Sequence, residues 1–238
     1  MPQKLKNFIC IITGGTGFLG REIIAEFLQN GATVFTNYRD EQKYSDLKSY
    51  FGDYQNLVGV HNDLISEAQV NDFFRRFSDS YQRLDVFIHT MGGFWMGQDV
   101  SSTPFDKWNH MMNLNLNSTF LCTREAFRIM KAQCSGKIFT ISARPAIDLP
   151  AGMAAYAVSK SGVLALTEII AKEGKEFDIQ ANSIIPGVID TAANRKSMPD
   201  ADFSKWVTPK DIARVLINLS QPEVRHLSQT AIKIFGKI

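Results

Sequence analysis

Short β-branched and apolar runs recur along the chain at residues 8–12, 33–36, 57–60, 86–89, 137–141 and 180–185, each the length of a buried strand. Between them lie longer segments with the apolar spacing of helices, at 19–30, 41–51, 66–78, 105–131 and 154–177. Thr208 followed by Pro209 predicts a further helix over 209–219, and residues 230–235 read as a last strand. Strand and helix therefore alternate. Alternation of this kind needs crossover connections, which lay the strands parallel in one sheet with helices on both faces. The predicted fold is α/β, a single doubly wound domain over residues 1–238, and ligands of such sheets bind beyond the carboxyl ends of the strands.

Hydrophobic residues make up 45% of the chain and charged ones 21%, enough apolar material for one sizeable core. Lys+Arg number 26 against Asp+Glu 24, a near balance that argues against nucleic acid or another polyanion as partner. Cys10, Cys122 and Cys134 form no CxxC pair and lie in apolar or helical contexts, which fits reduced thiols and a cytoplasmic location. The apolar run at 8–12 is too short for a signal sequence or a membrane span, so no membrane association is expected. His61, His89, His110 and His226 are dispersed without ligand spacing, so no metal site is expected.

The first strand runs straight into Thr13-Gly14-Gly15-Thr16-Gly17-Phe18-Leu19-Gly20, and an amphipathic helix follows. Glycines permit positive φ and close backbone approach in such a turn, while the N–H groups and dipole of the helix start attract an anion. Gly14, Thr16, Gly17, Phe18, Leu19 and Gly20 are therefore the expected cradle of a dinucleotide pyrophosphate, an ordinary glycine-rich turn being the alternative. The second strand ends in Thr36-Asn37-Tyr38-Arg39-Asp40, where Tyr38 takes the place of the carboxylate that grips the ribose of NAD. A guanidinium at Arg39 can take a 2′-phosphate, which favours NADP(H) over NAD(H). Asp40 beside it keeps NAD(H) open as a second cofactor, and Arg39 as a plain solvated charge is the alternative.

Tyr156 and Lys160 lie four residues apart at the start of a predicted helix and share one face of it. An ammonium nearby favours the phenolate, so Lys160 is expected to draw Tyr156 below the pKa of about 10 of a free phenol and fit it for acid–base work. Alone, the pair is also what an exposed helical face produces by chance.

Taken in order, these motifs and those between them resemble the short-chain dehydrogenase/reductase family over nearly the whole chain. The series is the glycine turn at 13–20, Asp63-Leu64, His89-Thr90-Met91-Gly92, Asn115, Tyr156 with Lys160, and Pro186-Gly187-Val188-Ile189-Asp190-Thr191. The resemblance implies a Rossmann-type fold and hydride transfer between a nicotinamide cofactor and a small molecule. It implies that Asp63 contacts the adenine with Leu64 beside it, that Met91, Gly92 and Gly93 line the cofactor with Pro186, Gly187 and Val188, and that Thr191 holds the carboxamide. Tyr156, Lys160 and Asn115 form the implied catalytic set, Lys160 also binding the nicotinamide ribose and Asn115 anchoring a proton-relay water. A homodimer or homotetramer is implied, joined by the helices at 105–131 and 154–177 with their surplus of apolar residues such as Phe120 and Ile169.

The family places a serine thirteen residues before the tyrosine, and here that position is Ala143. Ser142 adjoins it, but neighbouring strand residues face opposite ways, so its hydroxyl is expected to point elsewhere. Dihydropteridine reductase, one branch of the family, resembles the chain at this departure, with alanine in a stretch like Ala143-Arg144-Pro145-Ala146-Ile147-Asp148 and a substrate-side loop like residues 190–206. That branch differs in carrying an acidic residue after the second strand and in lacking an asparagine like Asn115. The resemblance implies a quinonoid-pterin-like acceptor that needs no serine-held carbonyl, beside the small carbonyl typical of the family. Ala143, Arg144, Trp95, Phe203 and Trp206 are expected to line the substrate, under a lid loosely ordered at 194–201, although the aromatics also suit a core or an interface. The competing function is a dinucleotide-binding sensor or scaffold with little activity, favoured by the missing hydroxyl.

Overall fold

The computed structural model describes residues 3–51 and 55–237, the side chain of Phe51 excepted. Seven strands, β1 (Ile9–Thr13), β2 (Thr33–Tyr38), β3 (Leu57–His61), β4 (Val86–His89), β5 (Gly136–Ile141), β6 (Ile179–Pro186) and β7 (Thr230–Ile234), form one sheet in the order β3-β2-β1-β4-β5-β6-β7. Every pairing is parallel, as the crossover argument requires. The order reverses at β1, so a crevice opens above the carboxyl ends of β1 and β4.

The helices are α1 (Phe18–Gln29), α2 (Glu41–Phe51), α3 (Glu67–Ser80), α4 (Phe105–Met111), α5 (Ser118–Gln133), α6 (Pro145–Asp148), α7 (Ala154–Glu173), α8 (Ala192–Ser197) and α9 (Pro209–Leu219). Strand residues alternate between the two faces of the sheet. Cys10 and Ile12 pack with α1, α2 and α9, whereas Ile11 packs with α3, α5 and α7. On the second face Phe35 meets Phe73 at 5.0 Å and Phe77 at 5.4 Å between ring centroids. Each such fully buried ring contributes about 1.5–3 kcal/mol of transfer free energy, which fixes the frame on which the strand ends stand. Thr208 caps α9 as expected, its hydroxyl accepting from Asp211 N while Asp211 accepts from Thr208 N. By length and mean hydropathy (1.3) α7 would suit a membrane span, but here it lies against β5 and β6 with Ala155, Val163 and Ile170 buried.

Where one helix is expected over 105–131, the structure has three pieces. Between α4 and α5 the backbone widens into a π-helical segment, Met112–Asn117. The hydroxyls of Ser118, Thr119 and Thr123 donate back to the carbonyls of Leu114, Asn115 and Thr119 at 2.7, 2.5 and 2.7 Å, competing with the regular ladder. Such a bulge turns one residue of the helix inward, and here that residue is Asn115, fully buried. The lid region also holds more regular structure than its polar sequence suggests, opening with α8, whose start is capped by Thr191.

Candidate active site

The glycine turn is built by close packing. Gly14 has φ +71°, and a Cβ on Gly20 would come within 2.3 Å of the Gly14 carbonyl oxygen, so helix and turn touch through backbone. Gly17 N–H donates to that carbonyl at 3.0 Å. No acidic side chain stands in the first turn of α1, which leaves its positive end uncompensated. Phe18 is exposed, Thr16 and Leu19 half-buried. The cradle thus fits a pyrophosphate: helix-start amides with no acidic residue in their own turn, and no room for side chains beneath.

At the tip of β2, Tyr38 stacks on Tyr44 at 4.1 Å and donates to Glu41. Arg39 lies 3.7 Å from Asp63, which brings the two residues expected at the adenosine end together across the strand tips. Leu64 does not join them. Its side chain is fully buried among Phe73, Phe74 and Phe87, so the expected cofactor contact is corrected to a core position, leaving only its backbone near the crevice.

The floor of the crevice lies at the ends of β4 and β5. Asn115 Oδ1 accepts from Gly93 N at 2.8 Å, while its Nδ2 donates to the Gly93 carbonyl at 3.2 Å and to Ser159 Oγ at 2.9 Å. Ser159 in turn donates to the Tyr156 carbonyl at 2.8 Å, joining the π segment to the first turn of α7. A Cβ on Gly92 would stand 3.0 Å from both Asn115 Oδ1 and Lys160 Nζ. Lys160 Nζ donates to the Ile141 carbonyl at 2.8 Å, and burial draws its pKa down to about 8. Burial pushes the Tyr156 phenol up to about 12, opposite to the expected lowering by Lys160. Desolvation of the phenolate alone sets the direction, with no lowering from Lys160 beside it. His89 is structural: it lies between Thr13 Oγ1 (2.9 Å) and Ser118 Oγ (3.2 Å), and burial with the Lys160 charge holds it neutral, its pKa down to about 3.

The substrate side is only partly as expected. Ala143 is buried at the end of β5, and Ser142 points away as anticipated, donating to the Lys160 carbonyl at 2.9 Å. Arg144, its side chain 40% exposed, donates from Nε to Asp148 at 2.7 Å and sets its guanidinium over the Phe235 ring at 5.1 Å. Trp206, by contrast, is corrected to a core position, being buried against Phe203 (4.8 Å) at the end of the loop. Phe203 is half-buried under Arg195, which forks onto Asp190 at 2.6 and 2.7 Å. Trp95 is half-buried, whereas its neighbour Phe94 is exposed and sets its ring edge-on to Tyr156 at 4.9 Å. Phe94 lies in the aromatic segment 94–96 that the sequence places at the reactive end of the crevice, whereas Ser159 and Asn37, which bond to motif residues, carried no signal of their own. Pro186 ends β6, Gly187 N donates to Ile234 O, and Val188 O accepts from Val207 N, so these three tie the loop's root to the sheet. Between Phe18 and Thr191 opens a cleft of about 470 Å³, edged by Arg21, Arg195 and Lys210, which meets the glycine turn but not Tyr156.

A doubly wound parallel sheet with a glycine turn after β1 and a half-buried tyrosine beside a buried lysine and asparagine defines a dinucleotide-dependent class of enzyme. The short chain dehydrogenase family matches residues 8–202, and the chain belongs to that family of oxidoreductases. It is 28% identical over 225 residues to the uncharacterized oxidoreductase YxjF of Bacillus subtilis, covering 94% of this chain and 87% of that one. It is 26% identical to a rhamnolipids biosynthesis 3-oxoacyl-acyl-carrier-protein reductase of Pseudomonas aeruginosa, over 98% and 96% of the two chains. Among solved structures it is similar to ElxO with NADP bound, with a TM-score of 0.89, 25% identity and coverage of 97% and 98%.

Proposed function

We propose that the protein is a reductase that uses NADP(H), with NAD(H) as a lesser alternative, to reduce a small carbonyl or quinonoid-pterin-like compound. The observation that carries this reading is the packing of Gly92 against Asn115 Oδ1 and Lys160 Nζ, so close that a Cβ on it would stand 3.0 Å from each, with Asn115 tied through Ser159 to the Tyr156 carbonyl. NADPH, when bound, supplies the hydride. The glycine turn and the start of α1 hold its pyrophosphate, Arg39 receives the 2′-phosphate, and Asp63 meets the adenosine. Thr191, Val188 and Gly187 close on the carboxamide side, and Met91, Gly92 and Gly93 line the opposite side. Support for NADP(H) comes from Tyr38 at the acid position and from the NADP carried by ElxO.

Tyr156 holds the transferable proton at its Oη, and burial retains it there at neutral pH. Lys160, charged below about pH 8, orients the ribose and supports the phenolate left behind, with Asn115 completing the relay. Ala143 gives the acceptor atom no second hydroxyl, which suits a C=N or quinonoid centre better than a simple ketone. Phe94 offers a flat apolar wall beside the phenol. Exposed Phe120 and Ile169 on α5 and α7 support a homodimer or homotetramer, and the free cysteines a cytoplasmic setting. The test is oxidation of NADPH and NADH by purified protein with a quinonoid dihydropterin, quinones and simple ketones as acceptors. Turnover with the pterin or a quinone supports the reading, whereas silence with all acceptors favours the sensor that Ala143 alone suggests.

A further inference from the structure

We propose that Asn37 is the positioning residue of the dinucleotide cradle and sets affinity for the pyrophosphate common to NADPH and NADH; this rests on the cofactor reading above. Asn37 is 3% exposed at the end of β2. Its Oδ1 accepts from Gly14 N at 2.9 Å, and its Nδ2 donates to the Asn62 carbonyl at 3.2 Å. Met91 Sδ lies 4.0 Å from the same nitrogen. One side-chain amide therefore fastens the glycine turn to the ends of β2 and β3, with the β4 end packed beside it.

The consequence runs through a single residue, Gly14, whose N–H and carbonyl stand in consecutive peptide units. With its N–H fixed by Asn37, Gly14 at φ +71° presents its carbonyl to Gly17 N at 3.0 Å and to the Cα of Gly20, where a Cβ would stand only 2.3 Å away. That carbonyl thereby sets where α1 begins and which way its first amides point. A pyrophosphate reads those amides and nothing of Asn37 itself. Alanine at 37 leaves the Gly14 N–H and the Asn62 carbonyl without these partners and frees the turn to rotate. Aspartate is isosteric and keeps the acceptor, but it cannot donate to Asn62 and places a negative charge beside the anion site.

The experiment is equilibrium binding of NADPH and of NADH, read by quenching of tryptophan fluorescence, in the wild type, Asn37→Ala and Asn37→Asp. Both variants are expected to bind each dinucleotide about tenfold more weakly, the loss of one net hydrogen bond, with the NADPH to NADH ratio kept. In turnover, the KM for the dinucleotide should rise more than kcat falls, which general loss of stability does not produce. Wild-type affinity in either folded variant, or weakening confined to NADPH, overturns the proposal; if Asn37→Ala does not fold, Asn37→Asp decides. A wild type that binds neither dinucleotide overturns the cofactor reading as well, which separates the two failures.

Discussion

On the floor of the crevice Asn115, Ser159 and Lys160 are at most 5% exposed and bond to each other or to backbone, whereas across it the loop after β6 is held by Arg195, its side chain 52% exposed, on Asp190. The first arrangement is stiff because every buried polar group that loses its partner costs about 1–3 kcal/mol. The second is soft because an exposed ion pair is worth only about 0–1 kcal/mol and is screened by salt. On the proposed reading, proton chemistry stands on a rigid base and access falls to a part that can be altered cheaply.

The largest effect that tests this contrast is at Tyr156. Tyr156→Phe should lower kcat by ~10²–10⁴-fold while leaving dinucleotide binding measurable by fluorescence, since the phenol is the proposed proton donor. Undiminished turnover in that variant would place the chemistry elsewhere. Next in size, Ser159→Ala should cost about 1–3 kcal/mol in urea unfolding because it strands the buried Asn115 amide. A neutral result there would show that the floor is not rigidly held.

A pH profile sharpens the comparison further. Reduction should weaken about tenfold between pH 7 and 9 as the Lys160 ammonium, with a pKa near 8, is lost. The stability contribution of the same group runs the other way. Its folded pKa lies below its unfolded value, so the folded state binds fewer protons between about 8 and 10.5, and stability rises with pH across that window. Tyr156, with its folded pKa raised, offsets this only from about pH 10 to 12. Parallel fall of rate and stability from pH 8 to 10 would contradict the assignment. Smallest of all, Arg195→Ala should change unfolding free energy by under about 1 kcal/mol yet raise hydrogen exchange in residues 190–206.

The sheet was legible because each strand is a short apolar run bounded by turn residues, and the parallel order followed from the helices between them. The glycine turn and the Tyr156–Lys160 spacing were legible because both act within a few residues. What escaped depends on packing that exists only in the folded chain. Leu64 and Trp206 look like crevice residues beside their motifs, and packing with α3 and with Phe203, each only a few residues away in sequence, buries them. The direction of the Tyr156 shift escaped for the same reason, since it turns on how far folding desolvates the phenol. Asn37 carried no periodic or motif signal; its meaning lies in reaching a glycine 23 positions earlier.

The π segment at Met112–Asn117 also fixes something that no substitution can reveal. Such a segment holds one residue more than regular turns would, so removing one residue there would let the helix close into regular turns with everything downstream still in phase. Cys122, Ala126 and Met130 would keep their places against the sheet, whereas Asn115 would lose the inward turn that sets it beneath Gly93. The extra residue thus serves the crevice and not the core, and a one-residue deletion in this stretch should leave a folded protein whose unfolding is near normal but whose crevice floor is gone.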